Sequence, residues 1–148
     1  MRLIKAPRIE TIGFDEYTVF LAGGISNCPT WQDDAIKMFE DTDFTIINPR
    51  REGDLATKGL EAGKQIEWEF NMLRESDTIL FWFPEGPSPC PIALFELGYW
   101  SAMDAEGVVI GCDPLYSRRF DLVNQMDLIG VDVYLSLDKV ITKVKEKR

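Results

Sequence analysis

The chain has 148 residues, 45% of them hydrophobic and 28% charged, which suits a single folded domain with a proper core rather than a disordered segment. Its net charge of −9 argues against long nucleic acids as partners, since those demand a basic face. There is no histidine, so acid–base chemistry falls to carboxylates, Tyr or Cys, and the commonest metal ligand is missing. No metal site and no cofactor is expected.

Cys28, Cys90 and Cys112 are odd in number and widely spaced, with no C-x-x-C pair, which points to a reducing compartment. Without an apolar leader or a run of roughly 18 apolar residues, a cytoplasmic protein is expected, with no membrane partner.

In chain order, residues 1–16 read as an N-terminal arm or an extra edge strand, ahead of a single domain over 17–148. Tyr17–Ala22 is an apolar β run stopped by Gly23-Gly24. A helix is expected from about Trp31 to Glu40, with Thr30 and Asp33 at capping-box spacing. A short strand, Phe44–Asn48, ends at Pro49-Arg50-Arg51, and a polar loop runs to about Ala62. The next helix, from about Lys64 to Glu75, carries Ile66, Phe70 and Leu73 as its apolar stripe, with Glu69 on the same side. Thr78–Phe83 is the most apolar strand and fits the sheet centre. Pro84–Pro91 leads into a helix reaching about Met103, and Pro91 suits its first position because the missing N–H is not needed there. Strands at Gly107–Gly111 and Val131–Tyr134 and helices around Phe120–Leu128 and Leu137–Lys145 complete the chain.

Strands alternating with helices imply right-handed crossovers and an α/β doubly wound sheet of five parallel strands, flavodoxin-like in the order 2-1-3-4-5, with helices on both faces. Ligands in such sheets bind beyond the carboxyl ends of the strands at the switch point, here between the loops Gly23–Thr30 and Pro84–Pro91.

Glu96 stands among Ile92, Ala93, Tyr99 and Trp100 on its helix, so no basic neighbour three or four places away pairs with it. Its surroundings leave little room for a wet face, and a buried unpaired carboxylate is costly enough to suggest chemistry. Glu69 is a second carboxylate in a partly apolar setting, though a margin position on the helix surface would also explain it. Two such acids are the usual equipment for cleaving a glycosidic bond, roughly 5 Å apart where the route is covalent. Gly23-Gly24 either lets backbone N–H groups approach a phosphate or sugar, or simply turns the chain. Arg50-Arg51 and Arg118-Arg119 are candidate phosphate ligands, although solvated pairs are the ordinary case. Trp31, Trp68, Trp82 and Trp100 offer stacking faces or core. An ionised Glu96 needs a hydrogen-bond donor, with Tyr99 or a substrate hydroxyl as candidates.

Phe-Leu-Ala-Gly-Gly-Ile (20–25), Trp31-Gln32, Asn48-Pro49-Arg50-Arg51, Gln65-Ile66-Glu67-Trp68-Glu69, Phe81-Trp82-Phe83-Pro84 and Leu94-Phe95-Glu96-Leu97-Gly98 together resemble the nucleoside 2-deoxyribosyltransferase-like family, over about Tyr17 to Lys143. The resemblance is closest to its uncharacterised bacterial and phage branch, related to nucleoside 5′-monophosphate N-glycosidases. It implies that Glu96 attacks C1′ of the sugar and that Glu69 assists near sugar and base. It implies a pocket lined by Gly23, Gly24 and Ile25, with Trp31, Asn48, Arg50, Pro84 and Tyr99 as further substrate contacts. It also implies a homodimer or higher homo-oligomer in which a neighbour's Arg118, Arg119, Asp121 and Asn124 complete the site. Cys90 stands where studied transferases carry an Asp that holds sugar and base, which puts the transferase's own substrate preference in doubt. The expected activity is cleavage of the N-glycosidic bond of a (2′-deoxy)nucleoside or its 5′-monophosphate, with transfer to another base or to water; the double arginines favour a phosphorylated substrate. A non-catalytic nucleotide-binding or sensing module on the same fold is the alternative, and an enzyme acting on NAD-like glycosides ranks after it.

Overall fold

The structure is a computed structural model that describes residues 1–51 and 59–148. Six parallel strands form one sheet in the order β1-β3-β2-β4-β5-β6: β1 Arg2–Lys5, β2 Thr18–Gly23, β3 Thr45–Asn48, β4 Thr78–Phe83, β5 Val108–Cys112 and β6 Val133–Tyr134. The helices are α1 Trp31–Met38, α2 Gly59–Glu75, α3 Pro91–Met103, α4 Arg119–Asp127 and α5 Leu137–Lys145. This is the expected doubly wound, flavodoxin-like sheet with one strand more than the five read from the core pattern. The sixth is β1: Leu3 and Ile4 pair with Ile46 and Ile47, so the N-terminal segment joins the sheet as an edge strand.

Every residue of β4 is buried, which its unbroken apolar run demands of a central parallel strand. Side-chain alternation sorts the core into two layers. Phe20, Ala22, Ile79, Phe81, Phe83 and Ile110 face α2, α3 and α4, where Trp68, Met72, Ala93, Leu97 and Leu122 meet them. Val19, Leu21, Leu80, Trp82 and Val109 face α1 and α5, packing on Ala35, Phe39, Val140 and Val144.

Three local expectations change. The capping-box pair at Thr30 and Asp33 is not used: the Thr30 side chain makes no cap hydrogen bond, and only the Asp33 N–H reaches the Thr30 carbonyl, at 3.0 Å. The polar loop expected up to Ala62 is helical from Gly59, while residues 52–58 lie outside the described ones. The inward stripe of α2 is Gln65, Trp68, Met72 and Leu73, whereas Ile66 and Phe70 are 66% and 44% exposed. Trp68 turns inward with Met72 and Leu73, and its buried indole N–H is satisfied by the Arg8 carbonyl at 2.8 Å.

The helix around Glu96 also differs from its reading as a covered element. Ala93, Leu97 and Ser101 are its buried row, while Ile92, Phe95, Tyr99 and Met103 stay exposed on the protomer. Among the described residues no helix is long and apolar enough to cross a membrane.

Candidate active site

The chain crosses from β2 through α1 to β3 on one side, then returns through α2 to β4 on the other, which places the switch point between β2 and β4. The loops that leave these two strands touch. Gly24 N–H donates to the Trp82 carbonyl at 3.2 Å, and the Cys28 and Cys90 sulfurs lie 3.7 Å apart. The Gly-Gly pair is a packing requirement here. Gly23 has φ +140°, and a Cβ on it would lie 2.0 Å from the Trp82 carbonyl oxygen; a Cβ on Gly24 would strike both sulfurs.

Arg50, offered to a phosphate by the sequence, is instead the latch of the first loop. Its Nε donates to Gln32 Oε1 at 2.9 Å, and its Nη2 donates to the carbonyls of Pro29 at 2.9 Å and Ile25 at 3.2 Å. Burial lowers the Arg50 pKa from its ordinary value, against the favourable pull of Cys28 and Asp33. Trp31 works with it: its indole N–H donates to the Gly24 carbonyl at 2.8 Å, and the residue is buried. Asn48, also buried, accepts the Arg50 N–H through Oδ1 at 2.9 Å and turns the chain out of β3. Trp68 and Trp82 are core, and Trp100 is half-buried against Phe70, ring centroids 5.7 Å apart.

Glu69 on α2 and Glu96 on α3 belong to helices of the same layer, and the charge of Glu69 bears on Glu96. Burial pushes the Glu96 carboxyl up to about 7, and the charge of Glu69 adds to the rise. Burial also raises Glu69, opposed by a hydrogen bond from Gln65 and by the positive charge of Arg51. Gln65 Nε2 donates to Glu69 Oε1 at 2.6 Å and to the Pro49 carbonyl at 3.3 Å, tying the acid to the end of β3. Among the described residues Glu96 has no hydrogen-bond partner. Tyr99 in particular makes ring contacts with Trp100 and Phe70 rather than a bond to this carboxyl.

Pro84 is buried at the end of β4, and Cys90 caps α3 in the left-handed region with φ 53°, its N–H held by Ser88 Oγ at 3.1 Å. Ile25, half-buried, contributes its carbonyl to the Arg50 latch. Arg118, Arg119, Asp121 and Asn124 are exposed at the start of α4 and make no hydrogen bond or ion pair with either acid of their own chain. Arg118 pairs with Asp121 at 3.2 Å, and Asn124 Nδ2 donates to the Phe120 carbonyl at 2.7 Å. The open cleft of about 590 Å³ between Trp31, Trp82, Gly86 and Leu137 lies on the α1/α5 side, and neither acid lines it.

Gln65 and Tyr116 bear on this site although neither is a candidate site residue in the sequence. Gln65 had a usable signal, the Gln-x-x-x-Glu spacing that brings two side chains together on a helix. Tyr116, whose hydroxyl donates to the Pro89 carbonyl at 2.7 Å and so anchors the second loop, had none. Among the described residues no group of three His, Cys, Asp or Glu side chains is placed to hold a metal ion.

The class these observations define is an α/β protein with a flavodoxin-like parallel sheet. A family model described as nucleoside 2-deoxyribosyltransferase like matches residues 16–116, and the chain belongs to that family. The matched segment holds both acids, both switch-point loops and the Arg50 latch. Family membership supports an enzyme of nucleoside deoxyribosyltransferase-like activity. No curated protein matches the chain.

Proposed function

We propose that the protein cleaves the N-glycosidic bond of a (2′-deoxy)nucleoside or nucleoside 5′-monophosphate and passes the sugar to another base or to water. The observation that supports this reading is the pair of half-buried carboxyls Glu69 and Glu96 on two helices of one layer, the charge of the first raising the pKa of the second. In the ionised state Glu96 attacks C1′, the C1′–N bond breaks, and protonated Glu69 delivers its proton to the departing base. Water or a second base then attacks C1′, the ester to Glu96 breaks, and Glu69 takes up the proton.

Glu96 is the more reluctant of the two to ionise, because burial and a neighbouring charge act on it and no donor opposes them. The reaction therefore needs a substrate hydroxyl to donate to Glu96 and bring its pKa down. Arg50 is committed to the loop, so Arg51 and the exposed Arg118 and Arg119 of a neighbouring copy are the cations left for a phosphate. A second copy of this chain is the occupant we assign to the apolar face of Ile92, Phe95, Tyr99 and Met103, joined by Ile66 and Phe70. A two-fold pairing of this face covers it on both protomers at once.

The test is a panel of nucleosides and 5′-monophosphates, each with and without a free acceptor base, followed by chromatography of the released base. Base exchange identifies a transferase and release alone a hydrolase. Silence across the panel at pH 6–9 refutes the proposal and leaves a nucleotide-binding module.

A further inference from the structure

We propose that Cys28 and Cys90 are a redox-responsive pair that closes into an intramolecular disulfide and clamps the loop after β2 to the start of α3. Their sulfurs already touch at 3.7 Å, although the two residues are 62 apart in sequence. A disulfide requires about 2.05 Å, so an approach of under two ångströms suffices. Gly24 makes the contact possible, since an ideal Cβ there would lie 2.5 Å from the Cys28 sulfur and 2.8 Å from that of Cys90.

The backbone is bent to aim these thiols. Among the described residues Asn27, with φ 56°, and Cys90, with φ 53°, are the non-glycine residues in the left-handed region. One immediately precedes the first thiol and the other bears the second. Cys90 also precedes Pro91, and a residue before proline is ordinarily held in extended backbone. Uncommon backbone of this kind persists where the surroundings enforce it, and it clusters at clamps and switches. Chemically the two sulfurs are unequal. Cys28 is half-buried on the loop, whereas Cys90 is buried and its thiol is pushed up to about 12. Cys28 is therefore the attacking sulfur.

With hydrogen peroxide as oxidant, the Cys28 thiolate attacks one oxygen, the O–O bond breaks, and a sulfenic acid and hydroxide form. Cys90 then attacks the Cys28 sulfur, the S–O bond breaks, and the second hydroxide leaves. The two thiol protons convert both hydroxides to water. The sulfurs together lose two electrons and the peroxide gains them; a dithiol reductant reverses the step. Cys112, buried at the end of β5 with its thiol pushed up to about 11, takes no part.

The clamp would tighten the two loops that border the switch point and shift the first turn of the helix that carries Glu96. Its effect on turnover rests on the function proposed above: a displacement of an ångström or more costs on the order of 100-fold. The intact protein is treated with hydrogen peroxide, alkylated, and examined by mass spectrometry and peptide mapping, with base release followed on the same samples. The expected result is loss of two hydrogens per chain, a Cys28–Cys90 linked peptide and an alkylatable Cys112. Turnover falls and returns with dithiothreitol, while Cys28→Ser forms no bridge and its own rate is insensitive to the oxidant. Three alkylatable thiols after oxidation, a bridge through Cys112, or a bridge between chains overturns the proposal. A Cys28–Cys90 bridge with undiminished turnover overturns its coupling to the site. If the reduced protein releases no base at all, the glycosyl reading fails, and the mass spectrum alone decides the bridge.

Discussion

Replacing Glu96 with Gln removes a carboxyl whose ionisation the fold opposes, and the consequence for stability can be worked out. Its pKa rises from the ordinary 4.5 to about 7 in the folded chain. At roughly 1.4 kcal/mol for each tenfold change in the ionisation equilibrium, burying the charged form costs up to about 3 kcal/mol. The sign follows from linkage. A raised carboxyl pKa favours the folded state fully below 4.5, and that advantage is lost as pH rises through about 7. Wild type and Glu96→Gln should therefore be similarly stable at pH 4.5, and the variant should be the more stable by up to about 3 kcal/mol at pH 8. That difference corresponds to a rise in melting temperature of up to roughly 10 °C for a domain of this size. Urea unfolding of both proteins across pH 4.5–8, with the difference plotted against pH, makes the measurement. A difference that stays flat over that range would refute the argument that Glu96 is buried against a like charge.

Further predictions address its partners. Glu69→Gln should move the Glu96 pKa down by removing the neighbouring charge, so the loss of stability expected as pH rises through about 7 in wild type should shift to lower pH in urea unfolding; an unmoved profile contradicts the coupling. Arg50→Ala should cost about 2–4 kcal/mol in chemical denaturation, because carbonyls and the buried Gln32 lose a charged donor, and Arg50→Lys should recover little of it. Gly23→Ala should destabilise by at least about 2 kcal/mol, since its Cβ meets the Trp82 carbonyl and its φ is +140°. Phe95→Asp on the exposed face of α3 should yield a monomer in analytical ultracentrifugation if that face pairs two copies; an unchanged sedimentation coefficient excludes this interface.

Much of the architecture was legible because parallel strands announce themselves. Thr78–Phe83 is unbroken apolar β sequence and is the fully buried centre, and the Leu137–Lys145 helix begins and ends where the pattern puts it. The two switch-point loops follow from strand order alone. What escaped depends on partners that leave no periodic trace. Ile66 and Phe70 look like a core stripe because they are apolar at helical spacing, yet Trp68, Met72 and Leu73 form the side that turns inward. The outward apolar rows of α2 and α3 are indistinguishable in sequence from buried ones. Arg50 reads as an anion ligand because its actual partners are backbone carbonyls, which any residue type supplies. The Cys28–Cys90 contact joins separate crossovers, and only the β2–β4 pairing brings it about. Glu96 was visible as a carboxylate lacking basic neighbours on its own helix and Glu69 as one beside an apolar stripe, whereas the Gln65 bond that holds Glu69 shows only in the fold.

The central claim is that Glu96 itself forms the bond to C1′. It is tested most directly by incubating the protein with a nucleoside fluorinated at C2′, whose electron-poor sugar slows breakdown of a glycosyl-enzyme, and mapping the adduct by mass spectrometry. One sugar per chain is expected, on the peptide containing Glu96 and absent from Glu96→Gln. A sugar attached to any other side chain would contradict it.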